Sequence, residues 1–245
     1  MSSLLERVVV RPGAGSDVEL PARYAGRWRD EFERRVYARL SAGVRILDLG
    51  SGANPVLPSV ERPQDSFCVG LDISRQELEK APQGSYDEWC VTDAAHFVAD
   101  LENDFDLIVS WQVLEHVKPL GLAIENCRKY LLPGGAFIAL FSGSLSAFGV
   151  LNRVVPKQLG IGAMKHLLGR DPETVFPAYY DGTRYSPLRR HFQTWESAEI
   201  VPLFRGAGYF SFSRPLQRGY LAYENWAAES NRVNLATHYL VEAVK

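Results

Sequence analysis

The chain has 245 residues, of which 46% are apolar and 23% are charged, and its net charge at neutral pH is −2. This composition is that of an ordinary globular protein, and the length is enough to bury one substantial core. The charge gives no electrostatic reason to expect nucleic acid as a partner. No apolar run of about 18 residues occurs that could span a membrane.

The first forty residues divide into two parts. Residues 2–21 show no periodicity and predict little regular structure. From Arg23 to Leu40, Trp28, Phe32 and Val36 recur at helical spacing, which predicts a helix that packs along one face.

Cysteine usage and the N-terminus both favour a cytoplasmic protein. The N-terminal residues lack the apolar run of a secretory signal. Cys68, Cys90 and Cys127 fall inside two predicted strands and a predicted helix, as expected for buried thiols in a reducing compartment. No Cys-x-x-Cys pair or neighbouring histidine suggests a metal site at these positions, and we predict none.

The centre of the chain is organised around a strand that breaks into a glycine loop. Residues 44–49 are apolar enough for a buried parallel strand, and Gly50-Ser-Gly52 follows at once. Glycine turns the chain sharply and lets the backbone approach a ligand closely. Asp48 ends the strand, so we expect its carboxylate in the crevice where open α/β sheets bind ligands.

Strands and helices then alternate along the chain. The pattern predicts strands at 44–49, 67–72, 86–91, 105–110 and 136–142, and helices near 55–62, 74–80, 94–101 and 113–131. Such alternation predicts right-handed crossovers and a parallel sheet covered on both faces. Beyond residue 193 the pattern predicts a helix from Trp195 to Ala207, a strand at 208–213, an aromatic connection from Gly219 to Asn231 and a last strand near 236–243.

Three further motifs follow the glycine loop: Phe67-Cys-Val-Gly-Leu-Asp72, Val91-Thr-Asp93-Ala94 and Asp106-Leu-Ile-Val-Ser-Trp-Gln-Val-Leu-Glu-His116-Val117. Over residues 40–142 their order resembles the class I S-adenosylmethionine-dependent methyltransferases with a Val-Leu-Glu-His-Val signature. The resemblance implies an α/β, Rossmann-like, doubly wound fold. Its seven-stranded sheet is mostly parallel, with an antiparallel last strand and a helical lid insertion after strand five.

The same resemblance implies S-adenosylmethionine as the cofactor and S-adenosylhomocysteine as its product. The glycine loop holds the amino-acid half in that family, the acid after strand two holds the ribose, and the Asp-Ala pair borders the adenine. The residues implied here are Asp48, Gly50, Ser51, Gly52, Asp72, Ile73, Asp93, Ala94, Trp111 and Gln112, with Tyr24 and Arg27 from the N-terminal lid helix. The alternative for Tyr24 and Arg27, which the pattern favours, is that they belong to the core and the solvated face of this helix. Many members carry a third glycine where this chain has Asn54, a residue that tolerates left-handed backbone.

His116 is the candidate general base. An unperturbed imidazole titrates near neutral pH, and a hydroxyl acceptor must lose its proton during methyl transfer. His116 also lies just past the fourth strand, at the carboxyl edge of the predicted sheet. In some sugar O-methyltransferases of the family a histidine at the matching position is the base, while in other members it only holds the loop.

The residues after strand five change in character. Residues 143–193 contain an apolar segment, Leu145 to Leu168, followed by an aromatic loop, and seven Lys/Arg stand against three acids over 143–192. Insertions this long are usually lids or binding loops. We predict the acceptor contacts at Tyr179, Tyr180, Arg184, Tyr185 and His191. Packing of the tyrosines on the sheet and a solvated basic patch around His191 are the alternatives.

The whole chain is predicted to be one methyltransferase domain. Its parts are an N-terminal segment (1–40), a cofactor-binding core (41–142), the insertion (143–193) and a completion of the sheet (194–245). An apolar insertion also suits a dimer contact.

Four functions fit this sequence. The first is O-methylation of a sugar, polysaccharide or other small molecule, because the insertion resembles methyltransferases of bacterial polysaccharide and natural-product pathways. The second is methylation of a membrane quinone or lipid, with residues 145–168 lying on anionic lipid. The third is a nicotinamide-dependent oxidoreductase, against which stands the lack of any Tyr-x-x-x-Lys pair. The fourth is a non-catalytic protein that binds S-adenosylmethionine.

Overall fold

The computed structural model describes residues 18–146 and 178–245. Within them seven strands form one sheet: β1 (Arg45–Leu49), β2 (Phe67–Asp72), β3 (Glu88–Val91), β4 (Phe105–Trp111), β5 (Leu131–Ser142), β6 (Ser197–Leu203) and β7 (His238–Val244). Their order across the sheet is β3-β2-β1-β4-β5-β7-β6. The first five strands pair in parallel, and β7 is antiparallel to both of its neighbours. The predicted α/β sheet with an antiparallel last strand is confirmed.

Both faces of the sheet are covered because its central strands are apolar on both sides. In β1, Leu47 belongs to one buried cluster and Ile46 to the other, since successive side chains point to opposite faces. Five α-helices lie within the described residues: α1 (Trp28–Tyr37), α2 (Arg75–Glu79), α3 (Leu120–Tyr130), α4 (Tyr185–His191) and α5 (Arg214–Glu229). None of them is long and apolar enough to cross a membrane.

Several of the predicted helices are shorter than expected. The helix predicted from Arg23 to Leu40 is α1, which begins at Trp28, and Tyr24 lies in a separate 3-10 turn, Ala22–Tyr24. The helix near 55–62 is a single 3-10 turn, Ser59–Glu61, in a segment interrupted by Pro55 and Pro58. The helix at 94–101 is likewise one turn, Ala99–Leu101. The helix at 113–131 begins as a 3-10 turn, Leu114–His116, and α3 starts only after Pro119, which has no N–H to continue a helix.

The predictions beyond residue 193 are wrong except for the last strand. Residues 197–203, predicted as helix, form β6, and residues 207–210, predicted to enter a strand, form a 3-10 turn. β6 is an edge strand that pairs with β7 alone, which is why it tolerates Pro202. Residues 214–229 form α5 rather than a connection. The central part of the predicted lid insertion, 147–177, lies outside the described residues, as do residues 1–17.

Buried Glu224 fastens α5 to the carboxyl edge of the sheet. Its Oε1 accepts hydrogen bonds from the peptide N–H of Gly206 at 2.6 Å and the hydroxyl of Thr237 at 2.9 Å. Thr237 lies where β5 and β6 end, since its N–H donates to Leu203 and its carbonyl accepts from Gly143. The other carboxylate oxygen accepts from the hydroxyl of Tyr24. One side chain therefore joins the N-terminal segment, α5 and the sheet edge.

Candidate active site

The glycine loop after β1 packs directly on the loop after β4. Gly50 has φ +75°, and a Cβ built there would lie 2.3 Å from Cγ1 of Val113. Gly52 has φ +49°, and a Cβ there would lie 3.3 Å from Oδ2 of Asp72. A side chain at position 50 would clash with Val113, and one at position 52 would crowd Glu77 and Asp72, so the two glycines let the loop backbone stay close to the ends of β2 and β4.

Asp48 is buried at the end of β1. The peptide N–H of Val56 donates to its Oδ2 at 2.7 Å, while Oδ1 has no hydrogen-bond partner within residues 18–146 and 178–245. Burial raises the pKa of this carboxyl to about 7 from its usual 3.8, and the Val56 N–H and the nearby Ser51 hydroxyl only partly offset the shift. A polar group of a ligand would satisfy the free oxygen.

Asp72 closes the neighbouring side of the loop. It is 8% exposed, and its Oδ1 accepts from the N–H of Ser74 at 2.8 Å. Burial raises the pKa of this carboxyl. Ile73, the next residue, is 61% exposed and therefore free to contact a ligand.

Asp93 and Ala94 follow β3 at the same edge of the sheet. Asp93 is exposed, and its Oδ1 accepts from the N–H of Ala95 at 2.8 Å. Ala94 is buried, and its carbonyl accepts from the side chain of Asn126 on α3. The predicted adenine-side residues are thus held in a fixed turn beside the carboxyl end of β3.

Tyr86, which no sequence pattern singled out, hydrogen-bonds the glycine loop. Its hydroxyl hydrogen-bonds the hydroxyl of Ser51 and donates to the carbonyl of Gly52 at 3.2 Å. A Cβ built on Gly70 in β2 would lie 2.9 Å from its ring. A glycine inside an apolar strand often marks such a close approach, so Gly70 was the available signal.

Trp111 and Gln112 line the next part of the edge. The ring of Trp111 meets Phe32 of α1 edge-on at 4.9 Å and lies under the guanidinium of Arg29 at 4.9 Å. Gln112 has φ +59°, and its Oε1 accepts from the hydroxyl of Ser142 at 3.1 Å. Arg29 is a second contact residue that the sequence did not single out. The apolar stripe of α1 identifies the face that packs on the sheet and says nothing about the polar residues beside it.

Glu115 ties the loop after β4 to the segment that follows residue 177. Its buried Oε1 accepts from the N–H of Ser142 at 3.2 Å, and its carbonyl accepts from the N–H groups of Tyr179 and Tyr180, both at 2.9 Å. Burial raises the pKa of the Glu115 carboxyl, and the charge of His116 opposes that shift. His116 is half-buried, and its Nδ1 has no hydrogen-bond partner among the described residues.

The predicted acceptor residues fall into two groups. Tyr179 is 54% exposed and Tyr180 is 7% exposed, and both lie against Glu115. His191 lies beside Gly121 of α3, where a built Cβ would be 2.8 Å from its Cε1, and burial lowers the pKa of its imidazole. Arg184 is exposed, and Tyr185 packs on the core. The structure therefore brings Tyr179, Tyr180 and His191 to the Glu115–Gly121 region.

Tyr24 and Arg27 have partners within the protein. The hydroxyl of Tyr24 donates to Glu224 and accepts from the N–H of Ala207 at 2.9 Å. The Arg27 guanidinium lies 2.8 Å from Asp30 in an exposed pair. These contacts favour structural roles, and cofactor contact by either residue stays a prediction. No group of three potential metal ligands occurs among residues 18–146 and 178–245.

Comparison with known proteins assigns the family. The family described as "Methyltransferase domain" matches residues 22–210, which include the whole site described above. The chain belongs to the class I S-adenosylmethionine-dependent methyltransferases.

A crystal structure of a methyltransferase of this type from Archaeoglobus fulgidus has the same fold. It matches with a TM-score of 0.55 at 14% identity, over 89% of this chain and 92% of the other. The phosphoethanolamine N-methyltransferase 2 of Haemonchus contortus, solved with S-adenosylhomocysteine, matches with a TM-score of 0.51 at 15% identity, over 89% of this chain and 52% of the other. At such identities the likeness concerns the fold alone.

Curated relatives have higher sequence identity to this chain than these two structures, but they match a shorter part of it. The ubiquinone biosynthesis O-methyltransferase of Chelativorans sp. is 34% identical over 113 residues, which are 44% of this chain and 44% of the relative. The match therefore spans less than half the length of that methyltransferase.

We predict that Gly50→Ala destabilises the protein much more than Gly84→Ala. Both glycines have positive φ, +75° and +78°, but a Cβ at position 84 meets nothing within 4 Å. The control should lower the free energy of unfolding by about 1 kcal/mol. Gly50→Ala should lower it by about 3 kcal/mol or more, because β-branched Val113 cannot swing away. Denaturant unfolding measures both, and equal losses would contradict the proposed packing.

We also predict that Asp48→Asn changes how stability depends on pH. Since the folded-state pKa is raised to about 7, the wild-type carboxyl keeps its proton when the chain is folded and releases it on unfolding. Its stability contribution therefore falls as pH rises from about 4 to about 7, by at most about 1.4 kcal/mol per pH unit. Asp48→Asn should lose this decline, whereas exposed Asp93→Asn should follow the wild type. Parallel stability curves for Asp48→Asn and the wild type would refute the assignment.

Proposed function

We propose that this protein transfers the methyl group of S-adenosylmethionine to a hydroxyl oxygen of a small molecule, with His116 as the general base. The observation that carries the proposal is the arrangement at the carboxyl edge of the sheet. There a buried acid with a free oxygen, Asp48, adjoins a loop without side chains at Gly50 and Gly52, and His116 follows β4 on the same edge.

The residues at this edge fit the cofactor of the family. The free Oδ1 of Asp48 and the backbone of Gly50 and Gly52 would hold its amino-acid part, and Asp72 would hold its ribose. Ile73, Asp93 and Ala94 would border the adenine. When bound, the cofactor supplies a methyl group on a sulfonium, which is a good leaving group. What remains for the protein is to position the acceptor and to remove its proton.

The surroundings of His116 suit a base. Its Nδ1 is buried without a hydrogen-bond partner among the described residues. We therefore assign the proton of the acceptor hydroxyl to Nε2. The buried carboxyl of Glu115 interacts electrostatically with the imidazole, so a positive charge on His116 and ionisation of Glu115 favour each other. Glu115 acts as a positioning residue, because its carbonyl also fixes Tyr179 and Tyr180 beside the histidine.

For the acceptor we favour the phenolic hydroxyl of a quinone-type ring. The support is the name of the curated relatives, ubiquinone biosynthesis O-methyltransferase, at 34% identity for Chelativorans sp.. A sugar or polysaccharide hydroxyl is the second candidate, because the exposed ring of Tyr179 beside Glu115 offers a flat face on which a sugar can stack.

The acceptor class can be tested by labelling. Purified protein is incubated with methyl-labelled S-adenosylmethionine and an extract of the source organism, which is then partitioned between water and organic solvent. We expect label in the organic layer, on a phenol that alkaline hydrolysis does not release. Label in the aqueous carbohydrate pool would instead support the sugar acceptor. No transfer to either pool, together with binding of NADH but not of S-adenosylhomocysteine, would overturn the methyltransferase proposal.

We predict that His116→Ala lowers kcat by about 10² to 10⁴-fold, because the acceptor hydroxyl loses its base. Binding of S-adenosylhomocysteine, measured by calorimetry, should persist and would show that the pocket is intact. His96→Ala is the control, since His96 is an exposed histidine after β3. Unchanged turnover and an unchanged pH profile in His116→Ala would show that His116 is not the base.

A further inference from the structure

Helix α5 carries large apolar side chains at exposed positions and polar side chains at buried ones, unlike an ordinary surface helix. The buried positions follow helical spacing but are half polar: Gln217, Leu221, Glu224 and Ala227. Outside these buried positions, Leu216, Tyr223 and Trp226 are exposed, and half-buried Tyr220 lies between them with its hydroxyl towards Gly206. A helix that only covered the sheet would show the opposite pattern. The outer face therefore needs an explanation of its own.

These outer side chains form one continuous patch with the turn before the helix. Ring centroids lie 6.4 Å apart for Phe212 and Phe210, 4.8 Å for Phe210 and Tyr220, 5.7 Å for Tyr220 and Tyr223, and 6.0 Å for Tyr223 and Trp226. We call this set, with Leu216, the aromatic stripe. Phe212 is 70% exposed, Leu216 53% and Trp226 49%. Contiguous exposed apolar patches of this kind mark interaction sites.

The stripe is bordered by positive charge. Residues 205–232 carry four arginines, at positions 205, 214, 218 and 232, and two glutamates, of which Glu224 is buried. The guanidinium of Arg232 lies 5.9 Å from the ring centroid of Trp226. Arg218 and Arg232 form no ion pair with residues 18–146 or 178–245. An apolar stripe with cations along its margin is complementary to a partner surface that has an apolar interior and an anionic outer layer.

We propose that the aromatic stripe binds the surface of an anionic lipid bilayer. Tyrosine and tryptophan rings prefer the headgroup level, where one end is apolar and the other wet, and arginines beside them pair with lipid phosphates. A second copy of the chain fits less well, because a two-fold contact through this patch would bring its own arginines together. The proposal goes beyond the methyl-transfer reaction and holds for any acceptor.

The location of the aromatic stripe relates membrane binding to the candidate active site. Glu224 anchors α5 through Gly206 and Thr237 to the carboxyl edge of the sheet, the edge that carries Asp48 and His116. A bilayer bound along α5 would therefore lie beside the edge that holds the candidate site. This contact is distinct from the one predicted for residues 145–168, since it depends only on residues 210–232.

The test is sedimentation of the full chain with vesicles. We expect binding to phosphatidylglycerol/phosphatidylcholine vesicles at low salt, weak binding to phosphatidylcholine alone and release at high salt. Arg218→Gln/Arg232→Gln should lower the partition constant about 30-fold, at about fivefold per arginine. Arg75→Gln/Arg189→Gln, which removes two charges outside the patch, should have a much smaller effect.

The aromatic part has its own matched pair. Trp226→Ala should weaken vesicle binding at least tenfold, whereas Trp89→Ala should not, although Trp89 on the edge strand β3 is 46% exposed. Circular dichroism establishes that both variants are folded. Failure of the wild type to bind anionic vesicles would overturn the proposal. The proposal would also be overturned if the stripe variants bound vesicles as strongly as the wild type does, a result that would point to residues 145–168. A wild-type dimer that is lost only in the stripe variants would overturn it as well.

Discussion

The close approach of Gly50 to Val113 is the constraint on which the candidate site depends. It brings the loop after β1 against the loop after β4, so that the residues implied in cofactor binding and the histidine implied in proton removal belong to one edge. A side chain at position 50 would separate the two loops. Parallel pairing of β1 with β2 and β4 places these loops at the same edge of the sheet, because the carboxyl ends of parallel strands lie side by side.

Of the buried carboxyl groups at this edge, Asp48, Glu115 and Glu224 have different tasks. Asp48 keeps one oxygen without a partner, which suits a ligand, and its raised pKa reports the cost of that arrangement. Glu115 fixes the segment that carries Tyr179 and Tyr180. Glu224 is fully used by the protein and fastens α5 and the N-terminal segment. Buried acids at this edge therefore serve two purposes: one is available to a ligand, and the others fix neighbouring segments of the chain.

The two proposals rest on separate parts of the molecule. Methyl transfer depends on the ends of β1, β2 and β4, whereas lipid binding depends on the outer face of α5. They meet only at Glu224, whose neighbours Gly206 and Thr237 place α5 at the sheet edge. A fold of this class hosts many chemistries, so the acceptor has to be argued from side chains and not from the sheet.

The sequence by itself determined the first five strands of the sheet, its last strand and the family. Apolar strands ending in Asp48 and Asp72, with glycines between them, are local signals, since strand burial and sharp turns depend on residues close in the chain. Tertiary structure decided the rest. Edge strand β6 exists because β7 pairs with it, and α5 is a helix although its inward face carries Gln217 and Glu224. Tyr86 and Glu115 likewise acquire their roles from distant partners, across 35 residues to Ser51 and 27 residues to Ser142. Periodicity cannot report such pairings, because it reads only the spacing of residues along one element.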